Sequence, residues 1–140
     1  MAATVRDIMT AHPSALTTAT PVRRAAEKMR AHDIGDVVVL DDHRAVAGIL
    51  TDRDNVVRVV SEGRDPERVP VGDVCSRQLI TVSPHEQLSG AVQLMREQSV
   101  RRLPVVESGE LVGVLTIGDI AVERDSTSVL ADISAARGNG

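Results

Sequence analysis

The chain has no phenylalanine, tyrosine or tryptophan. Its core must therefore be built from Val, Leu, Ile, Ala and Met, and any bound base must lie between aliphatic side chains instead of stacking on a ring. Cys75 is the only cysteine, which excludes an internal disulfide and suits a reducing, cytoplasmic setting. It holds the repeat position of Met9, so a buried, inert thiol is expected. Lysine is nearly missing as well, since every basic residue but Lys28 is arginine. With 16 basic and 20 acidic residues the net charge is −4, which argues against a broad nucleic-acid surface. No apolar run approaches the length of a membrane span, and residues 1–7 meet charge before any signal-type apolar stretch.

Enzyme signatures are absent too. There is no Walker loop, no Gly-x-Ser-x-Gly elbow, no His-Glu-x-x-His and no dinucleotide fingerprint, so no catalytic residues are expected. His12, His32, His43 and His85 show no short ligand spacing, and no metal site is expected from them.

What the chain does contain, it contains twice. Gly48-Ile49-Leu50-Thr51-Asp52-Arg53-Asp54 returns as Gly113-Val114-Leu115-Thr116-Ile117-Gly118-Asp119. The offset between the halves is 71 − 5 = 66 for Val71 against Val5. It falls to 113 − 48 = 65 after a one-residue difference in the hairpin. Self-similarity of this kind dictates architecture before any local element does.

Within each half the pattern reads strand, helix, strand, strand, helix, which is an α/β class. Thr4 and Asp7 predict a short capped turn over residues 4–9, matched from Val71 to Cys75. Residues 15–17 and 81–83 read as short strands. Pro21 and Pro84 are placed at helix starts, with Ser83 and Glu86 as a capping box. Val22, Ala25, Ala26 and Met29 fall on one helical stripe, repeated by Leu88, Ala91, Val92 and Met95. Valine-rich strands follow, joined by acidic or glycine-containing turns as hairpins. The expected division is a first repeat over 1–60, a polar linker over 61–70, a second repeat over 71–126 and a tail over 127–140. A short alanine-rich helix is expected at 129–137.

Each motif places backbone N–H groups, a hydroxyl and a carboxylate at a strand-to-helix junction, which suits a phosphate and a ribose. The same residues also make ordinary helix caps without any ligand. The duplication, Asp7-Ile8-Met9, Leu103-Pro104-Val105 and both Gly-h-h-Thr-x-x-Asp copies together resemble the paired CBS domain, from about Val5 to Arg124. That resemblance implies two repeats related by a pseudo-twofold axis, and a stand-alone module of bacterial type without enzymatic activity. It implies a regulatory, energy-sensing role in which AMP, ADP, ATP or S-adenosylmethionine binds in clefts between the repeats, with no obligatory cofactor. Thr51 and Thr116 would meet phosphate, and Asp54 and Asp119 would hold ribose hydroxyls. Val37, Val38, Leu103 and Pro104 would flank the base, and Arg53 and Arg102 would neutralise phosphate. The resemblance also implies a homodimer joined through helices, acting on an effector protein not named by the sequence. Neither nucleic acid nor membrane is an expected partner. Val38 stands where the family often has the proline found at Pro104, and Gly118 replaces Arg53, so unequal sites are expected. The alternative reading is a homodimeric scaffold that binds no nucleotide.

Overall fold

The computed structural model describes residues 3–77 and 80–124. The helix expected at 129–137 lies outside the described residues. The chain divides into two compact units, and their boundaries do not follow the repeats. One unit is contiguous and runs from residue 14 through the described chain to 77. The other is composite: residues 3–13 join 80–124.

The contiguous unit carries β2 (Ala15–Thr17), α2 (Val22–His32), β3 (Asp36–Leu40), β4 (Val46–Thr51) and α3 (Asp52–Asn55). A π-helical segment, Val56–Val60, continues α3, and α4 (Val71–Val74) closes the unit. Its sheet has the order β2-β3-β4, with β2 parallel to β3 and β4 antiparallel. The composite unit holds α1 (Val5–Ile8), β1 (Thr10–Ala11), α5 (Leu88–Gln98), β5 (Arg102–Glu107), β6 (Glu110–Thr116) and α6 (Ile117–Arg124). Its sheet has the order β1-β6-β5, all neighbours antiparallel.

The repeats thus exchange their opening turns. Val5 and Arg6 donate their backbone N–H groups to the carbonyls of Glu86 (2.9 Å) and Pro84 (3.0 Å) in the second repeat. Val71 and Gly72 do the same to Thr20 (2.7 Å) and Thr18 (3.0 Å) in the first. Both sets keep the offset of 66 (86 − 20 and 84 − 18). Thr10 pairs with Val114 in the β1–β6 ladder, and Ser76 pairs with Ile49 as a single bridge at the equivalent place. Residues 61–70, expected as a linker, are bound to α2. Val69 is buried, its carbonyl accepts from Val22 (2.8 Å), and Pro66 accepts from Arg23 (3.0 Å).

The apolar stripes form as the periodicity predicts, with one correction. Val22, Ala25 and Met29, and likewise Leu88, Ala91 and Met95, are buried, whereas Ala26 is exposed. Each long helix then stops by the same device. Asp33 and Ser99 adopt left-handed φ values of 53° and 55°. Beyond them, Ile34 and Val100 donate to the carbonyls of Met29 and Met95, both at 3.0 Å, as in a Schellman stop.

Two other expectations shift in the second repeat. Pro84 does not open the helix, because α5 begins at Leu88 with Gln87 as its N-cap. Ser83 and Glu86 make a turn instead, with Ser83 accepting from the N–H groups of His85 and Glu86. The strand expected at 81–83 shrinks to one parallel bridge, Val82 to Val105. Pro104 supplies the reason. Its counterpart Val38 donates to Ser14 (2.9 Å) and extends the β2–β3 pairing, and proline has no N–H to give.

Candidate functional site

The two motifs fold into the same junction, one in each unit. In the contiguous unit, Thr51 ends β4 and caps α3. Its N–H donates to Asp54 Oδ2 (2.9 Å), and Asp54 N–H returns a bond to Thr51 Oγ1 (3.1 Å). In the composite unit the same pair of bonds joins Thr116 and Asp119, at 3.0 and 3.1 Å. Both aspartates are half-buried. Each motif is therefore a capping box that satisfies orphan N–H groups of a helix start. Capping uses only part of its polar capacity. The threonine hydroxyl oxygen accepts from the aspartate N–H in both boxes, and Oδ1 of each aspartate stays outside the box.

The motif glycines have a purely steric role. A Cβ on Gly48 would collide with the Ser76 carbonyl oxygen and come within 2.9 Å of Cys75 Sγ. A Cβ on Gly113 would lie 2.5 Å from Met9 Sδ and 2.9 Å from the Thr10 carbonyl oxygen. The exchanged segments cross β4 and β6 at these points, and only a residue without a side chain admits them. Cys75, buried beneath Gly48, has its thiol pushed up by desolvation, consistent with an inert core residue.

Around the shared box the two junctions differ. Asp119 Oδ1 accepts from the Thr10 hydroxyl on the exchanged β1 strand (3.4 Å). Burial pushes the Asp119 carboxyl above its ordinary value, while the bonds from Thr116 and Thr10 pull the other way. Asp54 Oδ1 instead has Arg58 Nε 3.8 Å away, and Arg58 Nη1 donates to the Val74 carbonyl on α4 (3.1 Å). Thr10 and Arg58 were not foreseen from the sequence. The equivalence of Thr10 with Ser76, both hydroxyl residues at an offset of 66, was the legible signal for the first.

Arg102 and Asp36 also occupy equivalent places. Arg102 pairs with Thr116 in the β5–β6 register, and Asp36 pairs with Thr51 in β3–β4. A cation thus stands beside the second motif where a carboxylate stands beside the first. Arg53 is exposed on α3. Val37 and Leu103, expected as flanks of a base, are fully enclosed in the hydrophobic cores of their own units. Strand alternation turns Val38 and Pro104 to the opposite sheet faces, where both are also buried. Two open concavities of about 250 and 600 Å³ lie along α2, lined in part by Pro21, Arg24 and Glu27. Neither is lined by a motif residue.

The duplicated strand–cap–helix junction and the exchanged openings define a tandem α/β module, and its sequence matches a known family. The CBS domain profile matches residues 5–54 and 71–125, so this chain belongs to the CBS domain family. CBS pairs are regulatory ligand-binding modules. The chain is 41% identical to "Uncharacterized protein MK0525" of Methanopyrus kandleri over 82% of its length, spanning 57% of that protein. It is 36% identical to the "CBS domain-containing protein YhcV" of Bacillus subtilis, covering 93% of this chain and 94% of that one. Among solved structures, Hypoxic Response Protein I "with two coordinated zinc ions" is similar, with a TM-score of 0.75. The identity is 35%, over 84% of this chain and 96% of that one. The CBS pair of MJ0100 in complex with 5′-methylthioadenosine and S-adenosyl-L-methionine has a TM-score of 0.77 at 21% identity, a likeness of fold. It covers 91% of this chain and all of that one. Among the described residues no three His, Cys, Asp or Glu side chains gather as a metal site, and no helix is long and apolar enough to cross a membrane.

Proposed function

We propose that this chain is a regulatory sensor of an adenosyl ligand bearing phosphate, held at the Gly-h-h-Thr-x-x-Asp junctions. The carrying observation is that each junction brings a threonine hydroxyl and a carboxylate oxygen outside the capping box to one helix start. A ribose diol needs such a carboxylate oxygen, and a phosphate needs such a hydroxyl with a nearby cation. Thr116 and Asp119 are the stronger pair, because Arg102 stands beside Thr116 whereas Asp36 stands beside Thr51. Thr51, Asp54 and Arg53 form the weaker site. Val38 and Pro104 are the better base flanks, since Val37 and Leu103 are spent on the unit cores. AMP, ADP and ATP are the leading ligands, with S-adenosylmethionine a further one, and the response is passed to an effector protein.

A homodimeric scaffold is the second reading, and one observation favours it. Val56, Val57 and Val60 on the π-helical segment are 58, 46 and 67% exposed, an apolar surface suited to a second copy through helices. Calorimetric titration with AMP, ADP, ATP and S-adenosylmethionine separates the two. Heat from at least one ligand, reduced more in Asp119→Ala than in Asp54→Ala, is the expected result. Silence from all four, with a dimer in sedimentation, would replace the sensor by the scaffold.

A further inference from the structure

The second motif does not belong wholly to the second repeat. Its carboxylate has one oxygen inside the capping box and one outside, and the outer oxygen meets a side chain delivered from the opposite end of the sequence. Thr10 lies in β1, which is held on β6 through the pairs Thr10–Val114 and Ala11–Gly113. The absence of a side chain at Gly113 permits that approach. The Thr10 hydroxyl donates to Asp119 Oδ1 at 3.4 Å, while Thr116 N–H holds Oδ2 at 3.0 Å. We propose that Thr10 is a positioning residue for the ligand-binding carboxylate of Asp119, so that the second site is complete only with the exchanged segment of the first repeat in place. This rests on the adenosyl-sensor reading for its functional consequence, though not for its physical test.

Geometry makes the hydroxyl effective. Donors at different oxygens, Thr116 N–H at Oδ2 and the longer Thr10 contact at Oδ1, restrain rotation of the carboxyl plane. Arg102, paired with Thr116 in the β5–β6 register, is common to wild type and every Thr10 variant and does not distinguish them. On α1, Arg6 is paired with Glu107 (2.9 Å), and Asp7 accepts from Thr4 (2.9 Å). Glu110 begins β6 at the end opposite Thr116, and Glu123 is exposed on α6. The influences on Asp119 are burial, the two Thr116 bonds and the Thr10 hydroxyl. The first motif lacks this arrangement. Asp54 is approached by Arg58, whose other contact is the Val74 carbonyl of exchanged α4. Each exchanged opening thus reaches its motif aspartate, directly in one unit and through an arginine in the other.

The test is the Asp119 carboxyl titration, followed by side-chain carbon NMR in the full-length wild type, Thr10→Val, Thr10→Ala and Thr10→Ser. Loss of the hydroxyl should move the Asp119 midpoint to higher pH in the valine and alanine variants, and serine should restore it. AMP affinity, where the wild type binds AMP, should fall about three- to tenfold with valine and recover with serine. An unchanged Asp119 midpoint in whichever of Thr10→Val and Thr10→Ala folds would overturn the assignment, as would a serine variant that behaves like valine. If the wild type gives no heat with any adenosyl ligand, the sensor reading fails while the titration still decides the role of Thr10.

Discussion

Gly48 and Gly113 show how much one absent side chain carries. The Gly48 Cβ position is filled by the Ser76 carbonyl, backbone that cannot turn aside, whereas at Gly113 the nearest atom is the Met9 sulfur on a side chain and the backbone oxygen of Thr10 lies farther off, at 2.9 Å. Gly48→Ala should therefore destabilise by about 2–4 kcal/mol and Gly113→Ala by about 1–2 kcal/mol, read from urea denaturation. Equal losses would mean that Met9 and the Thr10 carbonyl yield no more than the Ser76 carbonyl does. Asp119 makes a different residue-scale point. Burial raises its folded pKa above the unfolded value, so the folded state binds the proton more tightly. Stability from this group is present below the unfolded pKa of an aspartate and is lost as pH rises through the raised folded value. Above that window the ionised carboxylate is a liability to folding. Asp119→Asn should then be more stable than wild type at neutral pH, with the gain vanishing in acid and ligand binding lost throughout. A constant stability difference from acid to neutral pH would show that the charge carries no such cost.

At the scale of elements, the parts legible in the sequence were those set by local periodicity. The stripes of α2 and α5, the hairpin turn at Asp41 and the Thr-x-x-Asp caps all follow from spacing within a few residues. Asp41 Oδ1 accepts from the N–H groups of His43 (2.8 Å) and Ala45 (3.0 Å), as an acidic turn residue should. Less legible were elements whose ends depend on a partner distant in sequence. Pro104 truncates the pairing of Val82, and a proline at Pro84 does not mark a helix start because Gln87 is the true counterpart of Pro21. The π-helical segment was invisible for a related reason. Its bond from Ser61 N–H to the Val56 carbonyl (2.8 Å) widens a turn crowded with β-branched valines. The left-handed helix stops also escaped notice, because Asp33 and Ser99 are not glycines. Ser99→Gly should remove backbone strain and gain about 0.5–1 kcal/mol, a melting rise of roughly 1–4 °C. Asp33→Gly should gain less, since aspartate tolerates this conformation better. A drop in melting temperature for Ser99→Gly would mean that the serine side chain, and not its backbone, secures the stop.

For the whole molecule, the repeat is the unit of sequence and not the unit of packing. Of the contiguous unit's core, Val69, Val71, Val74 and Cys75 come from beyond the first repeat, and Val71 is wholly enclosed. A fully buried valine contributes about 1.5–3 kcal/mol, so losing this group removes more than a small unit's marginal stability. Two fragments of equal length distinguish the boundaries. Residues 14–79 keep β2 through the Ser76 bridge and every core member of the contiguous unit. Residues 1–66 keep α1, which packs on the other unit, and lose the whole closing group. The first fragment should melt cooperatively with native-like circular dichroism, and the second should show no cooperative transition. The asymmetry follows from connectivity: the composite unit draws on residues 3–13 and 80–124, and no single fragment shorter than residues 5–124 supplies α1 together with the whole of α6. Cooperative unfolding of 1–66 would mean that the repeat is self-sufficient and that the exchanged turn adds only contact area.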